Sequence, residues 1–182
     1  ESNLALDGGP DGPSFLTAGL SPSSWAGVPD PESNGNPSAR RGHAMVYDAA
    51  RDVTVLFGGW DNGTWFGDTW EWNGTSWRQA IPLDPEGDSN PVARSGHAMA
   101  YDASRGVTVL FSGAGENGEL GETWEWDGVS WRLMASWPAI PSTIDPGFGP
   151  FARQHAAMAY DASRGVTVMF GGYAGASQLS DT

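Results

Sequence analysis

The chain has 182 residues, and its 22 acidic and 9 basic residues give a formal net charge of −13 at pH 7. This charge argues against nucleic acid or an anionic membrane as the main partner, and no apolar run approaches the ~20 residues that a membrane-spanning helix needs. No cysteine is present, which excludes disulfide bonds, zinc–thiolate sites and thiol nucleophiles. The 26 glycines, 13 prolines and 10 tryptophans predict many turns and large buried aromatic surfaces rather than long helices.

The N-terminal residues 1–22 are rich in proline, glycine and serine. Residues 23–38 follow the residue order of a later segment, in which Trp77 corresponds to Trp25. We therefore predict that Trp25 lies in the fourth strand of a preceding unit, followed by a linker to residue 38. A looser match predicts the third strand of that unit within residues 1–22.

Most of the remaining chain is a repeat. A segment of about twenty residues occurs three times, and its tyrosine recurs about every 55 residues, a period typical of stacked arrays of small units. The copies are ARRGHAMVYDAARDVTVLFGG (39–59), ARSGHAMAYDASRGVTVLFSG (93–113) and ARQHAAMAYDASRGVTVMFGG (152–172). GDTWEWNGTSWR and GETWEWDGVSWR follow the first two copies, and the third continues only to SDT. The repeat predicts units over residues 39–92 and 93–151 and half a unit over 152–182.

Each full unit is predicted to contain four short antiparallel strands. GHAMVY and VTVLF form the first two, and the loop between them ends on Gly106 or Gly165, for which we expect a left-handed backbone. Asp52 replaces this glycine in the first copy, and aspartate tolerates the same conformation. Asn-Gly or Asp-Gly, the strongest short hairpin signals, join TWEW to the fourth strand. Four antiparallel strands in about 50 residues predict a propeller blade.

These units resemble the kelch repeat, with a variant similar to bacterial secreted kelch proteins and the central domain of galactose oxidase. The resemblance covers residues 39–182. It rests on the arginine and histidine that open the first strand, the glycine pair that ends the second, and the outer tryptophans. It implies an all-β fold, a kelch-type β-propeller with blades of four antiparallel strands and an incomplete ring of about three blades. The second copy departs from the pattern, with Ser112-Gly113 in place of Gly-Gly.

Two other propeller families share parts of this pattern. WD repeats also contain Gly-His, but they are shorter and lack the glycine pair. Sialidase-type Asp boxes share an Asp, a Gly and a Trp in a hairpin, but WDGVSW is one residue too short. Since known rings have about four to eight blades, this ring needs either further blades, from a longer chain or another chain, or self-association with a second copy that shares blades.

In kelch propellers the usual binding surface is the end where the entries to the first strands meet the loops between the second and third strands. Arginines that open the first strand and residues just after the glycine pair are common contacts there. The resemblance therefore implies a ligand-binding site that contains Arg40, Arg94, Arg153, Trp60 and Tyr173. We add Trp65 to this site, because it lies in the same loop as Trp60 and, unlike the core tryptophans, does not repeat. The alternative is that each arginine pairs with a carboxylate of a neighbouring blade and is structural.

Metal and catalytic chemistry have little support in the sequence. His43, His97 and His155 occur once per copy, but the third is displaced by one position, which favours structural hydrogen bonds over a metal site. We expect no cofactor; the alternative is calcium at 61–63, whose oxygens lack the ligand spacing of a known loop. Without cysteine, the crosslinked Tyr–Cys cofactor of copper radical oxidases is excluded.

The sequence therefore predicts a non-enzymatic interaction or scaffold module that binds a protein or a carbohydrate partner at this end. One alternative is the propeller domain of a carbohydrate-active enzyme, and another is a structural subunit of a larger extracellular assembly. We expect an extracellular or periplasmic location, because the chain begins at Glu1 as it would after removal of a signal peptide.

Overall fold

The computed structural model describes residues 35–85, 87, 89–137 and 150–182, together with the backbone of two short strands before them. The described residues form strands and turns, and none of them forms a helix that could cross a membrane. In chain order the strands are β1 Phe15–Thr17, β2 Trp25–Gly27, β3 Ala44–Asp48, β4 Val53–Asp61, β5 Thr64–Trp72, β6 Trp77–Ala80, β7 Ala98–Asp102, β8 Val107–Phe111, β9 Ala114–Gly115, β10 Gly118–Glu119, β11 Glu122–Trp126, β12 Trp131–Ser136, β13 Ala157–Asp161, β14 Val166–Phe170, β15 Tyr173–Ala174 and β16 Ser177–Gln178. The predicted all-β class is confirmed.

The first two units each form a four-stranded antiparallel sheet. The strand order is β3-β4-β5-β6 in the first unit and β7-β8-β11-β12 in the second, as the repeat predicts. In the third unit β13 pairs with β14 in the register of the first two strands of the other units. These sheets form an incomplete β-propeller. Before them β1 pairs with β2, and Trp25 lies opposite Thr17; the remainder of the prediction for residues 1–34 lies outside the described residues.

The loops between the first and second strands have the turn conformation that the sequence predicts. The aspartate that begins each loop accepts hydrogen bonds from the N–H groups two and three residues later. The residue that ends the loop has a φ of +56° at Asp52, +70° at Gly106 and +67° at Gly165. The predicted left-handed conformation is confirmed in all three copies, including the copy in which aspartate replaces glycine.

Tryptophans of the second unit form the core against the first unit. Trp126 and Trp131 are 1% and 0% exposed, and they pack with Val55 and Phe57 of the first unit. The rings of Trp131 and Phe57 meet edge to face with their centroids 5.2 Å apart. Because each buried indole removes about 150–250 Å² from water, these contacts supply much of the adhesion between the units.

Each of these indole N–H groups has an acceptor on the first unit. Trp131 Nε1 donates to Thr69 Oγ1 at 2.9 Å, and Trp126 Nε1 donates to Glu71 Oε1 at 3.3 Å. Glu71 also accepts hydrogen bonds from Arg51 and Arg78 of its own unit. Since a buried donor without an acceptor is costly, these bonds fix the position of one unit on the next.

Backbone hydrogen bonds join consecutive units near their first strands. Gly59 N donates to Arg94 O at 2.8 Å, and Gly113 N repeats this bond to Arg153 O at 2.9 Å. Strand β7 contacts both β3 and β13, so the first strands lie next to one another on the inside of the array. The second glycine of the pair is required, because a Cβ at Gly113 would lie 2.8 Å from Ser95 O.

Ser112 replaces the first glycine of the pair and keeps its left-handed backbone. Its φ is +63°, compared with +66° at Gly58 and +68° at Gly171, and this conformation strains a residue with a side chain by about 1 kcal/mol. The buried Ser112 Oγ accepts a hydrogen bond from Arg153 N at 2.6 Å, and its single hydrogen has two acceptors within reach, the carbonyls of Leu120 at 2.7 Å and Arg153 at 2.8 Å. The serine therefore ties the second unit to the third.

We expect Ser112→Ala to lower the free energy of unfolding by about 1–3 kcal/mol, because it keeps the strained backbone and removes the acceptor of a buried N–H group. Ser112→Gly loses the same bonds but relieves about 1 kcal/mol of strain, so it should be the more stable of the two. Chemical denaturation followed by tryptophan fluorescence measures both variants. Equal stability of the alanine and glycine variants would contradict this account.

Candidate functional site

At one end of the array, the entry to each first strand pairs with the residue that follows the glycine-pair position. In each pair, two backbone hydrogen bonds of 2.8–3.0 Å join the residues. The three pairs are Arg41–Trp60, Ser95–Ala114 and Gln154–Tyr173. Because backbone atoms make these bonds, the side chains at the six positions are free to differ from unit to unit.

The first unit carries the longest projection at this end. Strands β4 and β5 continue past the glycine pair as one hairpin to Asn62 and Gly63, whose φ values are +44° and +90°. Asn-Gly is favoured in two-residue hairpins because both positions require positive φ. Trp60 and Trp65 lie opposite each other across this hairpin, and both are half-buried. The sequence analysis treated this stretch as a loop, whereas the structure extends both strands through it.

A depression of about 550 Å³ opens beside this hairpin. On one side the guanidinium of Arg41 stacks on the ring of Trp60, 4.4 Å from its centroid. On the other side lies His155, whose ring stacks on Tyr173 with centroids 5.3 Å apart and planes 21° apart. The second unit contributes the small Ser95 to the lining. The small Ser95 of the second unit therefore leaves a space between aromatic residues of the first and third units.

Trp65 lines this depression and also a second one of about 470 Å³. The second depression lies between the hairpin of the first unit and the shorter ribbon of the second, with Val92, Glu116 and Leu120 in its lining. A ligand in either depression would contact the Trp65 indole.

The three arginines predicted to bind a ligand are ion-paired inside their own units. The pairs are Arg40–Asp68, Arg94–Glu122 and Arg153–Asp181, with N–O distances of 2.6, 2.5 and 2.6 Å and arginine side chains that are 4%, 0% and 0% exposed. In each pair the acid follows the arginine by 28 residues. A ligand could reach these guanidinium groups only by breaking the pairs. The alternative prediction was right that they are paired but wrong to place the carboxylate on a neighbouring unit.

Each of these arginines also fixes the end of a second strand. Arg94 Nη1 donates to Ser112 O at 3.1 Å, and the other two arginines repeat this bond in their own units. Burial lowers the pKa of Arg94, but a guanidinium stays charged at neutral pH. Burial alone would raise the pKa of Glu122, yet the hydrogen bonds from Arg94 and Trp124 outweigh it and lower the pKa below 4.5. Both members of the pair are therefore charged.

Two residues of the depression were not among the predicted site residues. Arg41 is exposed, and within the described part of the chain its guanidinium makes no ion pair. The signal that could have found it is that Arg41 does not repeat, since Ser95 and Gln154 hold the equivalent positions. His155 stands where the second unit has Gly96 and keeps the left-handed backbone, with φ +57°. Such a strained residue indicates a role for its side chain.

Neither of the other two histidines lines the depression. His97 is 6% exposed, and its ring meets Phe57 at 5.6 Å. Burial, then the charges of Arg94 and His43, lower the pKa of His97 to about 3, and the Phe57 backbone offsets this only in part. Neither ring nitrogen makes a hydrogen bond of good geometry, so the predicted structural bond is not found there. Among the described residues no three acidic or histidine side chains form a metal-binding cluster, and calcium at 61–63 stays a prediction.

A comparison with protein families tests the family that the repeated residues predict. The family model described as the KLHDC2/KLHL20/DRC7 kelch-repeats domain matches residues 20–182. The match spans all three units and begins in the segment that precedes them. The family predicted from the repeated residues is confirmed.

We expect Arg94→Leu to lower the free energy of unfolding by roughly 2–4 kcal/mol. This is less than the full cost of breaking a buried pair, because Glu122 is partly exposed. Arg41→Leu, at the exposed and unpaired position, should change it by less than about 1 kcal/mol. Urea denaturation of the two variants beside the wild type checks the difference. Similar losses in both would contradict the structural role of the repeated arginine.

A second prediction concerns pH. The pKa of His97 is lower in the folded chain than in the unfolded chain, so the unfolded chain takes up the proton first and stability falls as the pH drops from 6.5 towards 3. His97→Gln does not titrate, so its deficit in unfolding free energy relative to the wild type should shrink by about 1–2 kcal/mol between pH 7 and pH 5. Denaturation at both pH values measures this, and a constant deficit would show that His97 does not contribute.

Proposed function

Because the chain belongs to the kelch-repeat family, we propose that it is a non-catalytic interaction module that binds a protein segment at the depression beside Trp60. Kelch repeats generally mediate protein–protein interaction. The observation that carries the proposal is the depression itself, in which the small Ser95 of the second unit lies between Trp60 of the first unit and His155 of the third.

The lining favours a segment with an acidic side chain next to an apolar one. Arg41 stacks the face of its guanidinium on Trp60, so its N–H groups remain able to bind a carboxylate or a carbonyl. Trp65 offers a broad apolar surface at a small cost in side-chain entropy. Since the formal net charge is −13, the attraction for an acidic group comes from Arg41 itself rather than from the whole molecule.

The repeated arginines have a different role in this proposal. Arg40, Arg94 and Arg153 hold the strand ends that carry the lining residues, and they do not contact the ligand. Trp60 and Trp65 keep the role that the sequence analysis gave them, and Arg41 and His155 join them. Tyr173 does not line the depression and contributes by stacking on the ring of His155.

A carbohydrate ligand is the second candidate, and one observation favours it. Trp60 and Trp65 lie opposite each other on the projecting hairpin, and half-buried indoles of this kind offer flat surfaces on which sugar rings stack. This mode would depend on the indoles and not on the charge of Arg41.

The test uses two arrays, one of short peptides that combine Asp or Glu with Trp, Phe or Leu, and one of glycans. We expect the wild type to bind a subset of the peptides, and Trp65→Ala and Arg41→Leu to weaken that binding by about tenfold or more. Val129→Ala is the matched control, because Val129 is an exposed residue in the hairpin at the opposite end of the second unit.

The two arrays distinguish a peptide ligand from a carbohydrate ligand. Glycan binding that is lost in Trp65→Ala and kept in Arg41→Leu would support the carbohydrate reading over the peptide reading. Peptide binding that is unchanged in both site variants, or no binding on either array, would overturn the proposed site.

A further inference from the structure

The second depression, between the hairpin of the first unit and the ribbon β9–β10 of the second, has a lining of two kinds. Val92, Leu120 and Trp65 supply apolar surface, and Glu116 supplies a carboxylate at the tip of the ribbon. Glu116 is exposed, and among the described residues its carboxylate makes no ion pair or hydrogen bond. The depression of about 470 Å³ therefore combines apolar walls with one free negative charge.

The two other glutamates of this segment have structural partners. Glu119 Oε1 accepts a hydrogen bond from Gly175 N of the third unit at 2.7 Å, and Glu122 belongs to the ion pair that holds the second unit together. Glu116 has neither role, and it does not repeat, because Asn62 and Gly175 hold its position in the other units. Its carboxylate is therefore not part of the repeated framework.

The fold holds Glu116 in place beside this depression. Leu120 N donates to Gly113 O at 2.9 Å and closes the base of the ribbon. A Cβ at Gly115 would lie 2.8 Å from Ala93 O, so this glycine allows the ribbon to lie directly against the segment that enters the second unit. The carboxylate is therefore carried by a ribbon that packs on the framework.

A lining of this kind suits the side chain of arginine or lysine. Such a side chain has an apolar stem, which can lie against Val92 and Leu120, and a charged head, which can reach Glu116. A guanidinium also stacks well on an indole, and Trp65 supplies that surface. The formal net charge of −13 adds a long-range attraction for a basic group, which it does not provide for an acidic one.

We infer that the second depression binds a basic side chain of the same protein segment whose acidic group binds Arg41. The inference rests on the proposed function and defines the partner more closely, as a segment in which an acidic and a basic residue flank an apolar one. Trp65 lines both depressions, so a segment that crosses it places one charged side chain in each. Because Arg41 and Glu116 have opposite charges, they also fix the direction in which the segment lies.

The test compares pairs of peptides derived from one that binds on the array. In each pair, arginine or the neutral citrulline occupies one position within about five residues of the acidic residue. Where this side chain reaches the second depression, we expect the arginine peptide to bind the wild type about fivefold or more tightly than its citrulline partner. Glu116→Gln removes the charge and keeps the shape, so it should abolish the difference. Asp84→Asn is the matched control and should keep it, because Asp84 is an exposed acid next to Leu83, whose N–H group donates to Val129 O at the opposite end of the array.

Arg41→Leu distinguishes this inference from the proposed function. It should weaken the binding of both peptides of a pair alike and leave the preference for arginine intact. No preference at any position, or a preference that survives in Glu116→Gln, would overturn the inference while binding that depends on Arg41 still supports the proposed function. A preference that requires Glu116, in peptides whose binding is unchanged in Arg41→Leu, would support the basic-side-chain site and overturn the proposed role of Arg41.

A small probe tests the second depression without any peptide. N-acetylarginine amide should cause a saturable shift of the Trp65 indole N–H signal in proton–nitrogen NMR spectra, where this signal is identified by its loss in Trp65→Phe. N-acetylcitrulline amide should cause no such shift, and neither probe should cause one in Glu116→Gln. If no peptide binds on the array, this measurement still decides the inference, and equal responses to the two probes would overturn it.

Discussion

A buried arginine at the entry to each first strand holds several segments of its unit at one point. In the second unit, the Arg94 guanidinium donates to Val92 O, to Ser112 O at the end of β8 and to Glu122 at the start of β11, while its own carbonyl accepts from Gly59 of the preceding unit. A planar group with five donors can satisfy such divergent acceptors at once, which a lysine could not do. This junction fixes the strand ends from which the lining of the depression projects.

The position after the arginine illustrates the dependence. Once the arginine is fixed, the next residue lies beside the strand end of its own unit and pairs with it through backbone atoms alone, as Arg41 does with Trp60. Neither side chain takes part in the pairing, so its chemistry can change without loss of the bond. The residues that form the framework repeat for this reason, whereas the residues that we propose to bind a ligand do not repeat.

The distinction between repeating and non-repeating residues also explains which features could be predicted from the sequence. The first two strands and their turn follow from a local pattern that recurs three times, and the tryptophan core follows from one that recurs twice. The left-handed turn residue was predicted correctly even at Asp52, where aspartate replaces the glycine of the other two copies. The role of Arg94 could not be obtained from its recurrence, because recurrence alone does not tell whether a charged side chain points to solvent or to a carboxylate 28 residues later. The acidic residue of GDT, GET and SDT recurs just as faithfully, and pairing the two series would have been the correct inference.

The extension of β4 and β5 was missed for another reason. The Asn62-Gly63 dipeptide is a hairpin signal of the kind used at Asn73-Gly74, but the glycine pair before it was taken as the end of the second strand. The structure passes through the pair by means of a register shift between Phe57 and Gly59, after which Trp60 and Trp65 pair normally. The glycine pair, which indicates the end of a strand, and the Asn-Gly dipeptide, which indicates a turn, thus lie only a few residues apart. The strand passes through the first by a register shift and turns at the second.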